Sequence, residues 1–185
     1  MKKAIGLVML AGMAALPGFA LDVGDKAPPI ELENQDGETW GLSDHLGGKP
    51  IVVYFYPGAM TGGCTKQACS YRDHVSAGDS AFEIVGISGD PVQNLKWFQT
   101  AEHLNFTLLS DPEGAVAKAY GVPVIAGDKA IKRMVEGREV ELLRETTISR
   151  WTFIIDSSGK VIYKNDNAKP TEDLEGILGF LKGAE

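Results

Sequence analysis

Two cysteines, Cys64 and Cys69, are the residues of this chain whose type and spacing invite chemistry. The thiolate, not the thiol, is the nucleophile and metal ligand, so the surroundings of each sulfur decide its use. Cys64 follows an apolar run, Ile51-Val52-Val53-Tyr54-Phe55-Tyr56, that reads as a buried strand, and then a loop holding Pro57, Gly58, Gly62 and Gly63. The pattern from Cys64 to about His74 reads as a helix, which puts Cys64 at its N-terminus. There the helix dipole and the free amides of the first turn favour negative charge on sulfur. A cysteine pair can also be a structural disulfide. Residues five apart on an intact helix have Cα atoms about 8.7 Å apart, whereas a disulfide needs less than about 7 Å. A Cys64–Cys69 bridge therefore requires the segment to be something other than one helix, or to unwind. A staple closing so short a loop would also add little chain-entropy stabilisation. The spacing favours redox work over stapling.

The rest of the sequence must position that loop. Short strands are expected over 30–33 and 39–42 around a turn at 34–37, with Ser43 capping a brief helical turn. Beyond the Cys64 helix, a second core strand is expected over 81–88. A helix follows from Val92, with Pro91 at its start and Leu95, Phe98 and Trp97 on its buried side. A short strand over 107–109 leads to a helix capped by Ser110-Asp111-Pro112 and ended by Gly121. Residues 122–149 are the hardest to read; a hairpin over 131–135 and 140–143, turning at Glu136-Gly137, is the expectation. Strands over 151–156 and 161–164 and an amphipathic helix over 171–181, using Leu174, Ile177, Leu178 and Leu181, complete the order. This alternation predicts an α/β fold, a mixed sheet with helices on both faces. Cys64 then sits at the carboxyl end of the first central strand, where open α/β sheets place their sites.

The chain has 185 residues and a net charge of −7, about one ordinary domain. Its first twenty residues read as a cleavable secretory signal: Lys2 and Lys3, an apolar run over 4–16, Pro17, and small residues around Gly18-Phe19-Ala20. Cleavage is expected after Ala20, leaving residues 21–185 as a single domain in the periplasm or outside the cell. The run is shorter than the roughly 20 residues a spanning helix needs, so no stable membrane association is expected. The acidic balance argues against nucleic acid as a partner.

Several stretches together resemble one family. Pro57-x-x-x-Thr61-x-x-Cys64 resembles the active-site motif of the peroxiredoxins, which have a thioredoxin-like, three-layer fold. Cys69 resembles the resolving cysteine of their Q-type subgroup, the bacterioferritin comigratory proteins. Leu108-Leu109-Ser110-Asp111 matches a stretch common there, and Arg150-Trp151-Thr152-Phe153-Ile154-Ile155-Asp156 resembles the strand carrying the family's active-site arginine. The resemblance runs from about Val23 to Leu181. It implies a thiol-dependent peroxidase for hydrogen peroxide and organic hydroperoxides, without cofactor or metal, as a monomer or weak homodimer. Cys64 would be oxidised to a sulfenic acid and Cys69 would condense with it. A thioredoxin-like exported dithiol would reduce the resulting disulfide. Arg150, the Thr61 hydroxyl and the amides of Gly63 and Cys64 would receive the peroxide, with Pro57 walling off water. Gly62 stands where the subgroup often has proline, and Gln67 where glutamate is common, which removes a possible charge near the helix.

Blander roles compete for these residues. Thr61 suits a helix cap as well as the site. Arg150 could be a surface charge, and Arg144 is its rival if the register of 122–149 is misread. Tyr54 and Tyr56 suit core and pocket wall, Trp40 and Trp97 packing, and His45, His74 and His103 solvated surface. Two other classes share the fold. A copper-delivery protein would pair Cys-x-x-x-Cys with a later histidine, and none follows His103. A dithiol–disulfide oxidoreductase would carry Cys-x-x-Cys.

Overall fold

The computed structural model describes residues 21–78 and 81–183. The expected signal over 1–20 lies outside the described residues. Nine strands are described: β1 (Glu31–Asn34), β2 (Thr39–Gly41), β3 (Ile51–Phe55), β4 (Glu83–Ser88), β5 (Thr107–Ser110), β6 (Val124–Val135), β7 (Arg138–Ile148), β8 (Trp151–Ile155) and β9 (Val161–Asn165). The helices are α1 (Gly62–Ser76), α2 (Val92–Glu102), α3 (Ala115–Ala119) and α4 (Asp173–Gly183), with a 3-10 turn at Leu42–His45. Seven strands form one mixed sheet in the order β2-β1-β5-β4-β3-β8-β9, and β6 and β7 form a separate ribbon.

Strand β3 is buried throughout because the sheet is covered on both faces, which is why its sequence is an unbroken apolar run. The pleat sorts that run into two cores. Val52, Tyr54 and Tyr56 meet Ala68 and Tyr71 of α1, Leu95 and Phe98 of α2, and Ile177 of α4. Ile51, Val53 and Phe55 meet Leu42, Ala117 of α3 and Tyr120 on the other face. The expected α/β layering is therefore present. Asp111 caps α3 as expected, its two carboxylate oxygens accepting from Ala115 N at 2.8 Å and Ala117 N at 2.9 Å.

Register decides what reaches the cysteine loop. β3 runs parallel to β4 but antiparallel to β8, and Phe55 at the end of β3 pairs with Trp151 at the start of β8. Arg150, one residue before Trp151, is thereby brought beside the loop that leaves β3.

The hairpin is where the sequence reading falls furthest short. The turn at Glu136-Gly137 is correct, with φ of 48° and 78° at the two positions, the left-handed pair of a two-residue hairpin turn. Its strands are far longer than the expected 131–135 and 140–143. β6 is exposed along most of its length and is held mainly by its pairing with β7, so no apolar alternation marks it. β7 does alternate, but two of its buried residues are Arg144 and Thr146, which hide the pattern.

Arg144 is not the site arginine. Its Nη1 donates to Asp90 Oδ1 at 3.2 Å, and that carboxylate also accepts from Ala59 N at 2.7 Å, Ser88 Oγ at 3.0 Å and Asn94 Nδ2 at 3.1 Å. A Cβ at Gly58 would overlap the Arg144 guanidinium, so glycine is needed for that approach. The ribbon thus lies against the loop that precedes Cys64.

Candidate active site

The loop from Pro57 to Thr61 is pinned at successive residues. Ala59 N donates to Asp90, the Thr61 hydroxyl donates to Gly58 O at 2.9 Å, and Arg133 Nε of β6 donates to Met60 O at 2.9 Å. Met60 has a φ of 55°, a left-handed conformation that a side-chain-bearing residue adopts only when its surroundings hold it there. Pro57 is half-buried at the exit of β3.

Helix α1 starts two residues before Cys64, so the cysteine is its third residue. The backbone ladder opens with Thr65 N donating to Thr61 O at 2.8 Å. The amides of Gly62, Gly63 and Cys64 therefore have no acceptor within the helix, the ordinary state of a helix N-terminus. Thr61 occupies the N-cap position, but its side chain makes no cap hydrogen bond. The expected double role is corrected: its hydroxyl hydrogen goes to Gly58 O, and the oxygen lone pairs stay available as acceptors.

Cys64 is 2% exposed, and Arg150 Nη2 donates to its sulfur at 3.2 Å. A charged donor at that distance stabilises negative sulfur, adding to the helix N-terminus. A Cβ at Gly63 would come within 3.5 Å of Arg150 Nη2 and 3.3 Å of Pro170 Cγ, so the bare glycine backbone lies close to the guanidinium. The structure thus brings together Cys64, Gly63 and Arg150, with Thr61 at the head of the same helix.

Burial first, and Cys64 next, push the Tyr54 phenol well above its usual range. Tyr54 therefore stays protonated at any working pH and serves as wall, as expected. His74 departs from expectation: it stacks on Phe82 at 5.2 Å between ring centroids rather than standing in solvent. His45 pairs with Glu83 at 2.8 Å.

Cys69 lies on the same intact helix and does not reach Cys64; both thiols are free. Its sulfur meets Glu102 Oε2 of α2 at 3.6 Å. Burial pushes the Cys69 thiol up, the Arg72 guanidinium opposes this, and the Glu102 carboxylate adds to the rise. A raised value leaves less thiolate at a given pH. In Cys64→Ser protein, Cys69 should therefore react with iodoacetamide only at a pH above that of an unhindered thiol. Glu102→Gln should move this rate–pH profile down; an unchanged or upward-moving profile would contradict the assignment.

Sequence reasoning passed over Asp173, and saw in Gln67 only a missing charge. Gln67 Oε1 accepts from Arg150 Nη1, and Gln67 Nε2 donates to Asp173 Oδ2 at 2.7 Å. The same carboxylate oxygen accepts from Tyr71 OH at 2.5 Å and Thr152 Oγ1 at 2.6 Å. The charge expected to be missing at Gln67 is thus present one residue further out, on Asp173. Sequence gives no sign of this, since an acidic residue opening a helix reads as a solvated dipole partner.

The likenesses to known proteins agree with this geometry. Residues 23–164 match the model of the AhpC/TSA family. Peroxiredoxin Bcp of Escherichia coli is 38% identical over 164 residues, covering 88% of this chain and 96% of that protein. The crystal structure of peroxidoxin BcpB from Mycobacterium tuberculosis superposes with a TM-score of 0.72 at 33% identity, over 89% of this chain and 99% of that one. The bacterioferritin comigratory protein of Xanthomonas campestris, solved in trapped intermediate and ligand complexes bearing on its alkyl peroxide reduction, superposes with a TM-score of 0.67 at 26% identity, over 84% and 91% of the two chains. A helix-borne cysteine under an arginine, on this sheet and with these relatives, has one reading: the chain belongs to the AhpC/TSA family and is a peroxiredoxin of the Bcp and Q type.

Proposed function

We propose that this chain reduces hydrogen peroxide and organic hydroperoxides through Cys64, resolves the product through Cys69, and is recycled by a thioredoxin-like dithiol. The observation that carries this reading is the Arg150 guanidinium nitrogen 3.2 Å from the Cys64 sulfur. The thiolate attacks one peroxide oxygen, the O–O bond breaks, and Cys64 becomes a sulfenic acid. The departing alkoxide or hydroxide takes a proton and leaves as alcohol or water. Charge moves from sulfur toward the departing oxygen, and fixed donors spanning both positions lower the barrier without reorganising. Arg150, the Gly63 and Cys64 amides and the Thr61 hydroxyl are the donors and acceptor for that path.

Cys69 then attacks the Cys64 sulfur, its proton and the sulfenic hydroxyl leave as water, and a disulfide forms. With both residues on the intact α1, about 8.7 Å apart at Cα, the first turns must unwind for this step. An external dithiol closes the cycle by thiol–disulfide exchange. The Xanthomonas campestris relative's alkyl peroxide reduction supports organic hydroperoxides as substrates. The residues at 1–20 support export, and hence an exported reductant; the acidic charge supports a partner that is not nucleic acid. We place the protein as a monomer or weak homodimer.

The test pairs two assays on the reduced, purified protein. With thioredoxin and its reductase supplying electrons, it should consume peroxide through many turnovers and be nearly silent in insulin reduction. Insulin reduction without peroxide consumption would overturn the reading in favour of a dithiol oxidoreductase.

A further inference from the structure

We propose that Asp173 of α4 is a positioning residue of the peroxidase site, holding Arg150 on Cys64 through the amide of Gln67, and that it dictates an amide at position 67. The proposal rests on the peroxidase reading above.

Asp173 is 2% exposed. Its Oδ2 receives donors from Gln67 and Tyr71 of α1 and from Thr152 of β8. Its Oδ1 receives Asn165 Nδ2 at 3.4 Å. A carboxylate this far from water needs such donors to keep its charge. Among the described residues it forms no direct ion pair. The guanidinium of Arg150 stands one amide away, since Gln67 bonds both.

That amide can point only one way. Its oxygen faces a group that only donates, and its NH2 faces a group that only accepts. A flipped amide would oppose like partners at both ends. Gln67 therefore passes the pull of the buried carboxylate on to the guanidinium. A guanidinium is a planar, rigid fork. Holding Nη1 on Gln67 fixes the plane and aims Nη2 at the sulfur. A glutamate at position 67 would set two carboxylates at the 2.7 Å now spanned by the amide–carboxylate bond, and both could not stay ionised.

The arrangement also couples the arginine to the helix. Gln67 lies between the two cysteines, and Tyr71 lies just beyond them. While α1 is wound, Asp173 holds both. Unwinding that lets Cys69 meet Cys64 withdraws Gln67 and releases Arg150. The arginine is aimed when Cys64 awaits peroxide, and let go when the sulfenic acid is being resolved.

The test is a charge exchange. The second-order rate of Cys64 oxidation by hydrogen peroxide is measured by competition with a calibrated peroxidase, on wild type, Asp173→Asn, Gln67→Glu and the double variant. Each single variant should lose roughly tenfold or more. The double variant moves the carboxylate to position 67, directly on Arg150, with the new amide at 173 donating to it, and should return to within about threefold of wild type. Gln67→Glu keeps Asp173 with its Tyr71 and Thr152 donors. A lowered rate there with an unchanged melting curve, reversed by adding Asp173→Asn, cannot come from loss of fold. A double variant no faster than Asp173→Asn, or an Asp173→Asn rate equal to wild type, would overturn the proposal. A wild type that does not react at Cys64 would instead remove the peroxidase reading itself, so the two failures are distinct.

Discussion

Cys64→Ser protein should consume no peroxide above the rate of protein-free buffer, with any reductant. A serine hydroxyl is almost wholly protonated near neutral pH and its oxygen has no counterpart of the sulfenic acid, so both the nucleophile and the electron store vanish together. The fold should hold. The substitution leaves α1 and the Asp173 contacts to Gln67 and Tyr71 in place, and the Cys64 side chain is small. Peroxide consumption followed at 240 nm or with a ferrous dye checks the first point, and circular dichroism the second. Turnover at the wild-type rate would end the account, because Cys69, the only other cysteine, is held as a thiol by burial and by Glu102.

The second large effect belongs to Arg150. Arg150→Met keeps much of the side-chain length and removes the charge and every donor. The rate of Cys64 oxidation should fall by about 10²–10³-fold, the usual consequence of losing one preorganised donor at a developing charge. The effect should appear in the second-order rate with peroxide rather than in the later reduction by dithiol, since Arg150 touches the sulfur proposed to meet peroxide. Arg150→Lys should recover only part, because an ammonium cannot hold Gln67 and the sulfur with one rigid fork. A fall of less than about threefold in the methionine variant would show that other donors aim the peroxide.

These expectations rest on parts of very different legibility. β3 and α1 could be read because their signals are local: an apolar run for a strand covered on both faces, then glycines and a helical pattern. Cys64 could be placed at a helix start for the same reason, though the helix begins two residues earlier than expected. Arg150 was reachable through the resemblance of the Arg-Trp-Thr-Phe stretch, and the pairing of Phe55 with Trp151 supplies the physical reason it arrives at the loop. The ribbon of β6 and β7 was not legible beyond its turn. Its outer strand has no buried stripe, and its inner strand buries Arg144 against Asp90, a charge that only another part of the chain compensates. Asp173 escaped notice for the same reason. Its role comes from the donors to its Oδ2, which lie 21 to 106 residues away, and no short window of sequence contains them.

The ribbon bears directly on the site. Through Arg133 on Met60 and Arg144 on Asp90, it holds the loop that sets where α1 begins. The position of the sulfur is thus fixed from the least readable part of the chain. In the proposed cycle, the first turns of the same helix must still open for Cys69 to take part.

One measurement tests the central claim most directly. Reduced protein is mixed with one equivalent of hydrogen peroxide, quenched with an alkylating agent, and examined by intact mass and peptide mapping. The account predicts that wild type loses two hydrogens and yields a single linked peptide joining Cys64 to Cys69. It predicts that Cys69→Ser instead gains one oxygen, located on Cys64. Peroxide consumed while both thiols remain alkylatable, or the first oxygen found on Cys69 with Cys64 unchanged, would contradict it.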